Sequence, residues 1–343
     1  MDLTHREATL LVTGASGFMG SKLVVELARR GHAVRALVRP TSSQRGPVGE
    51  RITPVVGDIT DPGSLRAAMD GCTGVFHLAA RASNWTRDPR AFFDVNAGGT
   101  HNVVEAAATA GVERVVLTST VVTFGPTPPG VVANEASPRH SQGFLTLYEE
   151  SKAMAEREAL ARAAEGLPLV IVNPTRVYGP GKLTEANSVT LMLHLYDRGR
   201  FPFLLAGGRN VGNYALVDDV VRGHILAMEK GRVGERYILG GENVSLARLF
   251  DLVDGVTGRR HLRVRLPGWL ALAYSAFEQR KAEWFGAYPR ITPGWVKTFL
   301  RDWAYSPAKA QGELGYTVTP LRDGVALTCE WLRGRRAGRG AEA

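Results

Sequence analysis

The sequence predicts an α/β fold in which a doubly wound parallel sheet carries a smaller C-terminal lobe. Three observations support this: short β-rich runs alternate with helical patterns, a glycine-rich turn follows the first run, and the regular alternation ends near residue 178. Crossover helices between successive strands cover both faces of a parallel sheet, so this alternation is typical of one. With 343 residues, 44% of them hydrophobic, the chain can form a large core.

Six short runs are predicted as strands because they are rich in β-branched and aliphatic residues. They are 9–13 (TLLVT), 33–38 (AVRALV), 52–56 (ITPVV), 74–78 (GVFHL), 114–118 (RVVLT) and 168–173 (PLVIVN). Between them, segments such as SKLVVELARRG and GGTHNVVEAAATAG place apolar residues at helical spacing.

The change of pattern along the chain predicts the domain limits. Residues 1–180 form the sheet domain, and the chain returns to that domain around 207–240. Residues 181–206 and 241–332, which are richer in Pro and Gly and less periodic, form the lobe. The basic end 333–343, containing RGRRAGRG, lacks apolar periodicity and is predicted to be disordered.

Composition excludes several classes of protein. The net charge of +9 comes mainly from scattered arginines without a basic-aromatic motif, so we expect no nucleic-acid binding. Cys72 and Cys329 stand in no metal or redox spacing, which favours a reducing, cytoplasmic location and no metal site. We expect no signal peptide, because MDLTHREATLLVTG has no cleavage site, and no membrane span, because no apolar stretch reaches roughly 18 residues. Peripheral membrane association is left open.

The glycine-rich turn TGASGFMG at 13–20 predicts a dinucleotide site. Gly14, Gly17 and Gly20 follow a strand and open a helix, so the backbone can turn tightly and approach a pyrophosphate at the positive end of that helix. The spacing is G-x-x-G-x-x-G, and the alternative is a tight turn that serves only helix packing. Its place between the first strand and the first helix favours the cofactor and a Rossmann-type sheet.

The end of the second strand indicates which dinucleotide binds. NAD sites usually carry an acid there for the ribose hydroxyls, whereas a 2′-phosphate favours a guanidinium. Here VRALVRPTSS supplies Arg39 and no acid, so NADP(H) is preferred and NAD(H) is the second choice, with Ser42 or Ser43 as further phosphate contacts. Alternatively, Arg39 is a solvated loop residue. Asp58, after the third strand, either accepts a bond from the adenine amine or caps a helix.

Tyr148 and Lys152 stand four residues apart in LTLYEESKAM, which has a helical pattern. Residues i and i+4 share a helix face, so we expect Lys152 to lie beside Tyr148 and to favour its phenolate. Lowering a phenol pKa from about 10 towards neutrality takes about 4 kcal/mol, which an ammonium and a positive nicotinamide ring could supply. Such a tyrosine can pass a proton to or from a substrate oxygen. A buried hydroxyl and a surface lysine are the alternative.

Several motifs together resemble the extended short-chain dehydrogenases/reductases of the epimerase/dehydratase superfamily. They are TGASGFMG at 13–20, HLAA at 77–80, DVNAGGT at 94–100, TST at 118–120, YEESK at 148–152 and NPTRVYGPG at 173–181. The resemblance covers residues 9 to about 230, with a weaker match in SPAKAQGELGY at 306–316.

The resemblance implies roles for individual residues. Tyr148 is the acid/base, Lys152 binds the nicotinamide ribose and tunes Tyr148, Thr120 hydrogen-bonds the substrate oxygen, and Asn96 orders the site through water near the lysine. Beyond the residues already named, the implied cofactor contacts are Ser16, Phe18, Met19, Ile59, Leu78, Ala79, Ala80, Thr118, Pro174 and Val177. Family members often form dimers, which implies a homodimer through helices next to the sheet.

Departures from the family pattern narrow the reaction. Sugar-nucleotide dehydratases follow the threonine with Asp-Glu, whereas Val121 and Val122 follow Thr120 here and cannot exchange protons. Nucleotide-sugar enzymes use an Arg-Asp pair to hold the diphosphate, and Gly212 and Asn213 take that position here. The sequence therefore argues against dehydration and weakens a nucleotide-sugar interpretation.

The segment 266–305 carries 10 of the 27 aromatic residues, four of them Trp. Three interpretations are open: an apolar pocket for a flat or lipidic ketone, the core of the lobe itself, or a peripheral membrane patch. Trp85, in the loop ASNWTRDP, could add to the pocket wall. The other candidate substrate residues are Thr120, Phe124, Arg176 and Tyr178.

The pattern is most similar to the dihydroflavonol-reductase-like and 3β-hydroxysteroid-dehydrogenase-like branches, and also to sugar epimerases associated with hopanoid synthesis. We therefore predict an NADP-dependent oxidoreductase that passes hydride between nicotinamide and a ketone or secondary alcohol of a mainly apolar small molecule. One alternative is an NAD-dependent sugar or nucleotide-sugar epimerase. A remote alternative is a non-catalytic NADP-binding sensor, against which the intact Thr-Tyr-Lys set argues.

Overall fold

This computed structural model describes residues 1, 7–40 and 46–340, with side chains described as far as residue 335. The strands are β1 (Thr9–Thr13), β2 (Ala33–Val38), β3 (Ile52–Val56), β4 (Gly74–His77), β5 (Arg114–Thr118), β6 (Leu169–Pro174), β7 (Arg176–Tyr178), β8 (Phe203–Leu205), β9 (Val211–Leu216), β10 (Arg236–Leu239), β11 (Glu242–Ser245) and β12 (Val264–Leu266). The helices are α1 (Phe18–Arg29), α2 (Pro62–Met69), α3 (Arg90–Phe93), α4 (Gly99–Ala110), α5 (Leu147–Ala164), α6 (Ser188–Asp197), α7 (Val217–Lys230), α8 (Leu246–Thr257), α9 (Gly268–Phe285), α10 (Pro293–Phe299) and α11 (Leu321–Gly340).

Seven parallel strands form the central sheet in the order β3-β2-β1-β4-β5-β6-β10. This is a Rossmann-type doubly wound sheet, which confirms the predicted fold class. Each of the six predicted strands lies in it, with ends within one residue of the prediction. The strand order reverses between β1 and β4, and doubly wound sheets bind ligands at the carboxyl edge of such a reversal.

Successive residues of a strand point to opposite faces of the sheet, and the apolar ones build a core on each face. In β1, Leu10 and Val12 pack with α1 and α7, whereas Leu11 packs with α2, α4 and α5. All three side chains are fully buried. Both faces of β1 are therefore covered by helices, which explains its continuous apolar sequence.

The lobe has its own core next to the carboxyl edge of the sheet. Helices α6, α8 and α11 pack there against β7 and β9, and β11 extends these two strands into a small sheet. Strands β8 and β12 pair beside it, and α9 and α10 attach through Leu205, Ala271 and Val296. Helices α9 and α10 are therefore attached to the rest of the lobe by a small apolar contact.

One segment differs from the predicted lobe limits. Ala310, Leu314 and Tyr316 fall within the predicted lobe segment 241–332, but they pack into the core formed by β1, α1 and α7. The SPAKAQGELGY segment therefore belongs structurally to the sheet domain, which accounts for its match to the family pattern.

The basic end of the chain also differs from the prediction. Helix α11 continues to Gly340, whereas the sequence predicts a disordered tail from residue 333. Leu321, Val325 and Cys329 fix this helix in the lobe core, and the four arginines among residues 333–340 are good helix formers, whereas the three glycines there are not. Residues 341–343 lie outside the described part of the chain.

Candidate active site

The glycine turn lies where the strand order reverses, between the ends of β1 and β4. Gly14 has φ +69°, and a Cβ at this position would lie 2.7 Å from the backbone nitrogen of Ala79. A Cβ at Gly20 would lie 2.2 Å from the carbonyl oxygen of Gly14. The turn is therefore packed so closely that only glycine fits, and the amino end of α1 faces this edge of the sheet. This cradle fits the pyrophosphate of a dinucleotide.

The predicted cofactor contacts near the turn are held by backbone hydrogen bonds. Leu78 and Ala79 donate their backbone N–H groups to Thr13, at 3.3 Å to its carbonyl oxygen and 3.1 Å to Oγ1. Ala80 follows Leu78 and Ala79 after the end of β4.

A cation that the sequence did not predict lies beside the glycine turn. Lys182 Nζ donates to the Ser16 carbonyl at 2.9 Å. Phe18 is buried in the adjacent core, whereas Met19 lines the cavity described below.

Arg39 and Asp58 follow β2 and β3 at the same edge of the sheet. Arg39 is exposed. Ser42 and Ser43 lie outside the described residues. The Asp58 carboxylate accepts from the backbone N–H and the hydroxyl of Thr60, at 2.9 and 2.8 Å.

The structure corrects the helix-capping alternative for Asp58. Asp61 caps α2, accepting from the backbone N–H of Gly63 at 2.9 Å, because it directly precedes the first helical residue. Ile59 is buried against Gly99, and its carbonyl accepts from the Asn102 side chain at 2.9 Å. Asp58 and Ile59 therefore shape a loop at the edge where an adenine would lie.

Helix α5 begins one residue before Tyr148 because Thr146 caps it. Thr146 Oγ1 accepts from the backbone N–H of Glu149 at 3.1 Å, and the Glu149 carboxylate accepts from the backbone N–H of Leu145 at 2.9 Å. This capping pattern appears in the sequence as T-x-x-E at 146–149. The cap fixes the first turn of the helix, and with it the position of Tyr148.

Tyr148 and Thr120 are brought together as the sequence predicts. Both side chains line the same cavity, and Thr120 lies close enough to Tyr148 to lower its pKa. Thr120 has extended backbone angles at the end of β5, where it caps a short 3-10 turn formed by residues Val121–Thr123. Two hydroxyls on separate elements therefore converge at one point of the cavity wall.

Lys152 lies one turn beyond Tyr148 and is buried, with 2% of its surface exposed. Its ammonium donates to the Thr118 carbonyl at 2.9 Å. The Thr118 hydroxyl is hydrogen-bonded to His224 Nε2 at 2.9 Å, so α7 fixes the strand end that holds the lysine. Burial lowers the pKa of Lys152 to about 8, although the Glu156 carboxylate partly offsets this.

Asn96 lies in a π-helical turn, Asp94–Gly98, that joins α3 to α4. Its amide donates to Ser151 Oγ at 2.9 Å and accepts from the backbone N–H of Arg81 at 2.7 Å. Ser151 precedes Lys152, so Asn96 ties α5 to the loop after β4. Such π-turns often occur at functional sites.

The structure corrects the expected pKa of Tyr148. The sequence predicts that Lys152 lowers the pKa of Tyr148. Burial instead raises this pKa to about 12, and the neighbouring Glu149 carboxylate adds to the increase. The hydrogen bond with Thr120 acts in the opposite direction. Lys152 does not lower the pKa of Tyr148 because its ammonium is directed to the Thr118 carbonyl. Tyr148 is therefore a protonated phenol at neutral pH in this state.

The buried lysine predicts a measurable pH dependence of stability. The folded protein releases the Lys152 proton near pH 8, whereas the unfolded chain holds it to about 10.5. The unfolded state binds more protons between these values, so this group makes the free energy of unfolding rise with pH there. We expect wild type to gain about 2 to 3 kcal/mol relative to Lys152→Met between about pH 7 and pH 10. Urea unfolding of both proteins measures the difference, and an equal pH dependence would contradict it.

A cavity of about 1060 Å³ opens between the sheet edge and the lobe. Thr120 and Tyr148 form part of its wall beside Pro174 and Val177, the cofactor contacts predicted at the end of β6 and in β7. Its further lining includes Trp85, Phe92, Phe144, Arg176, Glu185, Trp295, Lys297 and Phe299. The Arg176 guanidinium lies over the Phe299 ring, 4.2 Å from its centroid. The complete lining contains six aromatic and seven charged residues, so the cavity wall is partly aromatic and partly charged.

Two predicted substrate residues do not line this cavity. Phe124 is buried between Tyr305 and the guanidinium of Arg236, which lies 4.6 Å from the Phe124 ring centroid. Tyr178 is 1% exposed in the lobe core, and its hydroxyl donates to the Leu321 carbonyl at 3.5 Å. Phe124 follows the 3-10 turn after Thr120, whereas Tyr178 lies in β7, and each side chain is directed into a buried cluster.

The structure divides the aromatic residues of 266–305 among the cavity wall, a buried cluster and the exposed surface. Trp295 and Phe299 line the cavity, and Trp303 and Tyr305 belong to a buried cluster with Val121. The other six are exposed on or just after α9: Trp269, Tyr274, Phe277, Trp284, Phe285 and Tyr288.

The position of the expected diphosphate clamp has a structural role instead. Asn213 is buried, and its amide donates to the Gly241 carbonyl at 3.0 Å and to Asn243 Oδ1 at 2.8 Å. It therefore joins β9 to β11 and is not available to a ligand.

Among the described helices, none is long and apolar enough to cross a bilayer.

Comparison with known proteins agrees with this geometry. Residues 10–240 match the model of the NAD dependent epimerase/dehydratase family. The chain is 35% identical to a "putative dihydroflavonol 4-reductase" of Synechocystis sp., covering 94% of both chains, and 31% identical to "sterol demethylase protein B" of Methylococcus capsulatus, covering 95% of this chain and 99% of that one. The solved UDP-glucose 4-epimerase of Thermotoga maritima with UDP-glucose superposes with a TM-score of 0.78 at 26% identity, covering 95% of this chain and 99% of that one. The chain therefore belongs to the NAD dependent epimerase/dehydratase family of extended short-chain dehydrogenase/reductase enzymes.

Proposed function

We propose that the protein is an NADP-dependent carbonyl reductase or alcohol dehydrogenase for a mainly apolar ketone or secondary alcohol. The main support for this proposal is that the Tyr148 and Thr120 side chains lie together in the wall of one cavity. The glycine cradle at Gly14 and Gly20 fits a dinucleotide, and that cofactor, when bound, supplies or accepts the hydride.

The residues of the chain supply the proton and the orientation. In the reductive direction, Tyr148 donates its phenolic proton to the substrate oxygen as that oxygen becomes an alkoxide, while the Thr120 hydroxyl hydrogen-bonds the same oxygen. Lys152, one helical turn away, holds the end of β5 beside Tyr148 by donating to the Thr118 carbonyl.

The cavity wall supports an apolar substrate. Phe144, Trp295 and Phe299 present rings to the cavity, whereas Asn213 is buried in a backbone network. The reductase name of the Synechocystis relative supports the same class of reaction. A sugar nucleotide would need partners for two phosphates, and Arg176 is already stacked on Phe299.

Arg39 decides the proposed cofactor preference. It is exposed at the end of β2, where a guanidinium can pair with a 2′-phosphate. We expect Arg39→Gln to reduce kcat/KM for NADPH about tenfold or more and to leave kcat/KM for NADH nearly unchanged, since a hydrogen bond between charged groups contributes about 1.5–3 kcal/mol. Arg322→Gln, an exposed arginine on α11, is the matched control and should change neither value.

The assay uses a panel of bulky apolar ketones and, separately, UDP-glucose. Consumption of NADPH with the ketones supports the proposal. Epimerisation of UDP-glucose without net NADPH consumption would contradict the proposed reaction, and equal use of NADH and NADPH by wild type would contradict the role of Arg39.

A further inference from the structure

Helix α9 has its apolar and polar faces reversed. The buried positions are Ala271, Ser275, Glu278 and Ala282, which are small or polar. Helices on protein surfaces normally bury their large apolar residues and expose polar ones. Here the large apolar residues point outward, so the sequence of this helix is not explained by packing inside the chain.

The outward face carries a concentration of exposed aromatic rings. Trp269, Phe277, Trp284 and Phe285 are 71%, 64%, 72% and 77% exposed. Of the seven large exposed aromatic side chains in the described part of the protein, six lie within 269–288. Such a contiguous apolar surface marks an interaction site in a folded protein.

The same region concentrates the positive charge of the chain. Although the arginines are scattered along the chain as a whole, residues 259–301 contain nine Arg or Lys and two Asp or Glu, and one of the nine, Arg263, is paired with Asp251 and Asp254 outside this segment. Of the two acids, Glu278 is buried and pairs with Lys281 at 2.5 Å. Five of the exposed bases are Arg259, Arg260, Arg265, Arg280 and Arg290. Aromatic rings in the same segment as such bases match an anionic bilayer surface, whose headgroups attract the cations while the rings enter the interface.

The aromatic face continues to the cavity. Tyr288, just after α9, packs edge-on against Trp85 with ring centroids 5.5 Å apart, and Trp85 lines the cavity. Arg87, in the same loop as Trp85, donates to the Gly286 carbonyl at 2.9 Å. Gln279 and Glu283 of α9 also line the cavity. One helix therefore forms the wall between the cavity and the exposed rings.

We propose that the outward face of α9 docks this protein on an anionic lipid membrane, with the cavity opening beside the interface. This goes beyond the proposed function, because it names a surface and a partner rather than a reaction. An apolar substrate dissolved in the bilayer would then reach Trp85 and the cavity without crossing water. A second copy of the chain is a poorer partner for this face, since two identical basic surfaces repel each other.

The test is binding of the full chain to vesicles by flotation, in low and in high salt. One set of vesicles contains phosphatidylcholine alone, and the other contains phosphatidylcholine and phosphatidylglycerol in equal parts. We expect salt-sensitive binding to the anionic vesicles, with a blue shift of tryptophan emission as Trp269 and Trp284 leave water. Trp284→Ser with Phe285→Ser should weaken binding about tenfold or more, because partitioning follows the apolar area inserted.

The matched control is Val131→Ser with Val132→Ser, a second pair of adjacent exposed apolar residues. Neither pair lines the cavity, so catalytic activity in detergent-free buffer should remain unchanged in both variants. The proposal is overturned by equal vesicle binding of the two variants or by equal binding to both vesicle types. It is also overturned if wild type is a dimer that the Trp284/Phe285 substitutions convert to monomer, since that outcome identifies a second copy as the partner.

Discussion

Replacing Tyr148 with phenylalanine should reduce kcat by at least about a thousandfold while leaving the NADPH dissociation constant within a few-fold of wild type. The variant keeps the ring in the cavity wall but removes the only proton that this side chain can transfer. General acid catalysis by a positioned side chain contributes about a hundredfold to ten-thousandfold. Single-turnover kinetics with a ketone substrate, together with an NADPH titration, measures both quantities.

Tyr316→Phe is the control that distinguishes loss of proton transfer from loss of a buried hydroxyl. Tyr316 is also buried, and its hydroxyl donates to the Gly240 carbonyl at 3.0 Å, away from the cavity. Tyr316→Phe therefore removes a buried hydrogen bond and should cost stability, with kcat preserved. If both variants lost turnover alike, or if Tyr148→Phe kept it, the assigned role of Tyr148 would be wrong.

Gly14→Ala should raise the NADPH dissociation constant about a hundredfold and lower the free energy of unfolding by about 2 to 4 kcal/mol. The added Cβ would lie 2.7 Å from the backbone nitrogen of Ala79 and 2.8 Å from the carbonyl carbon of Leu78. Both obstacles are backbone atoms, so β1 and β4 must move apart where the pyrophosphate would bind. Calorimetric titration and urea unfolding measure the two effects.

Gly111→Ala is the matched control for this substitution. Gly111 has φ +62°, close to the value at Gly14, but no atom lies within 4 Å of its added Cβ. Both variants therefore carry the same left-handed backbone cost of about 1 to 2 kcal/mol, and only Gly14→Ala adds the collision. Equal losses of stability, or unchanged cofactor affinity in Gly14→Ala, would show that the turn is not the cradle described.

The sheet and the centre of the candidate site could be predicted because their signals are local. Continuous apolar runs such as TLLVT require a strand covered on both faces, and glycines after the first strand require a tight turn. The four-residue spacing of Tyr148 and Lys152 sets one helix face, and the structure places both residues in α5.

Other features could not be predicted because they depend on contacts between distant segments. Phe124 and Tyr178 follow motif residues, but their burial is decided by Tyr305 and Leu321, far along the chain. The pKa of Tyr148 depends on where the Lys152 ammonium points, which the spacing does not fix. The outward rings of α9 were visible only as composition, since sequence alone does not show which face of a helix is covered.

Identification of the nicotinamide released when the purified protein is denatured distinguishes a reductase from an epimerase. A reductase must exchange its cofactor in every turnover, so we expect little retained nucleotide and an emptied protein that binds NADPH more tightly than NADH. Stoichiometric release of NAD⁺ would contradict it, since an enzyme that keeps NAD⁺ through turnover returns the hydride to its own substrate, as an epimerase does.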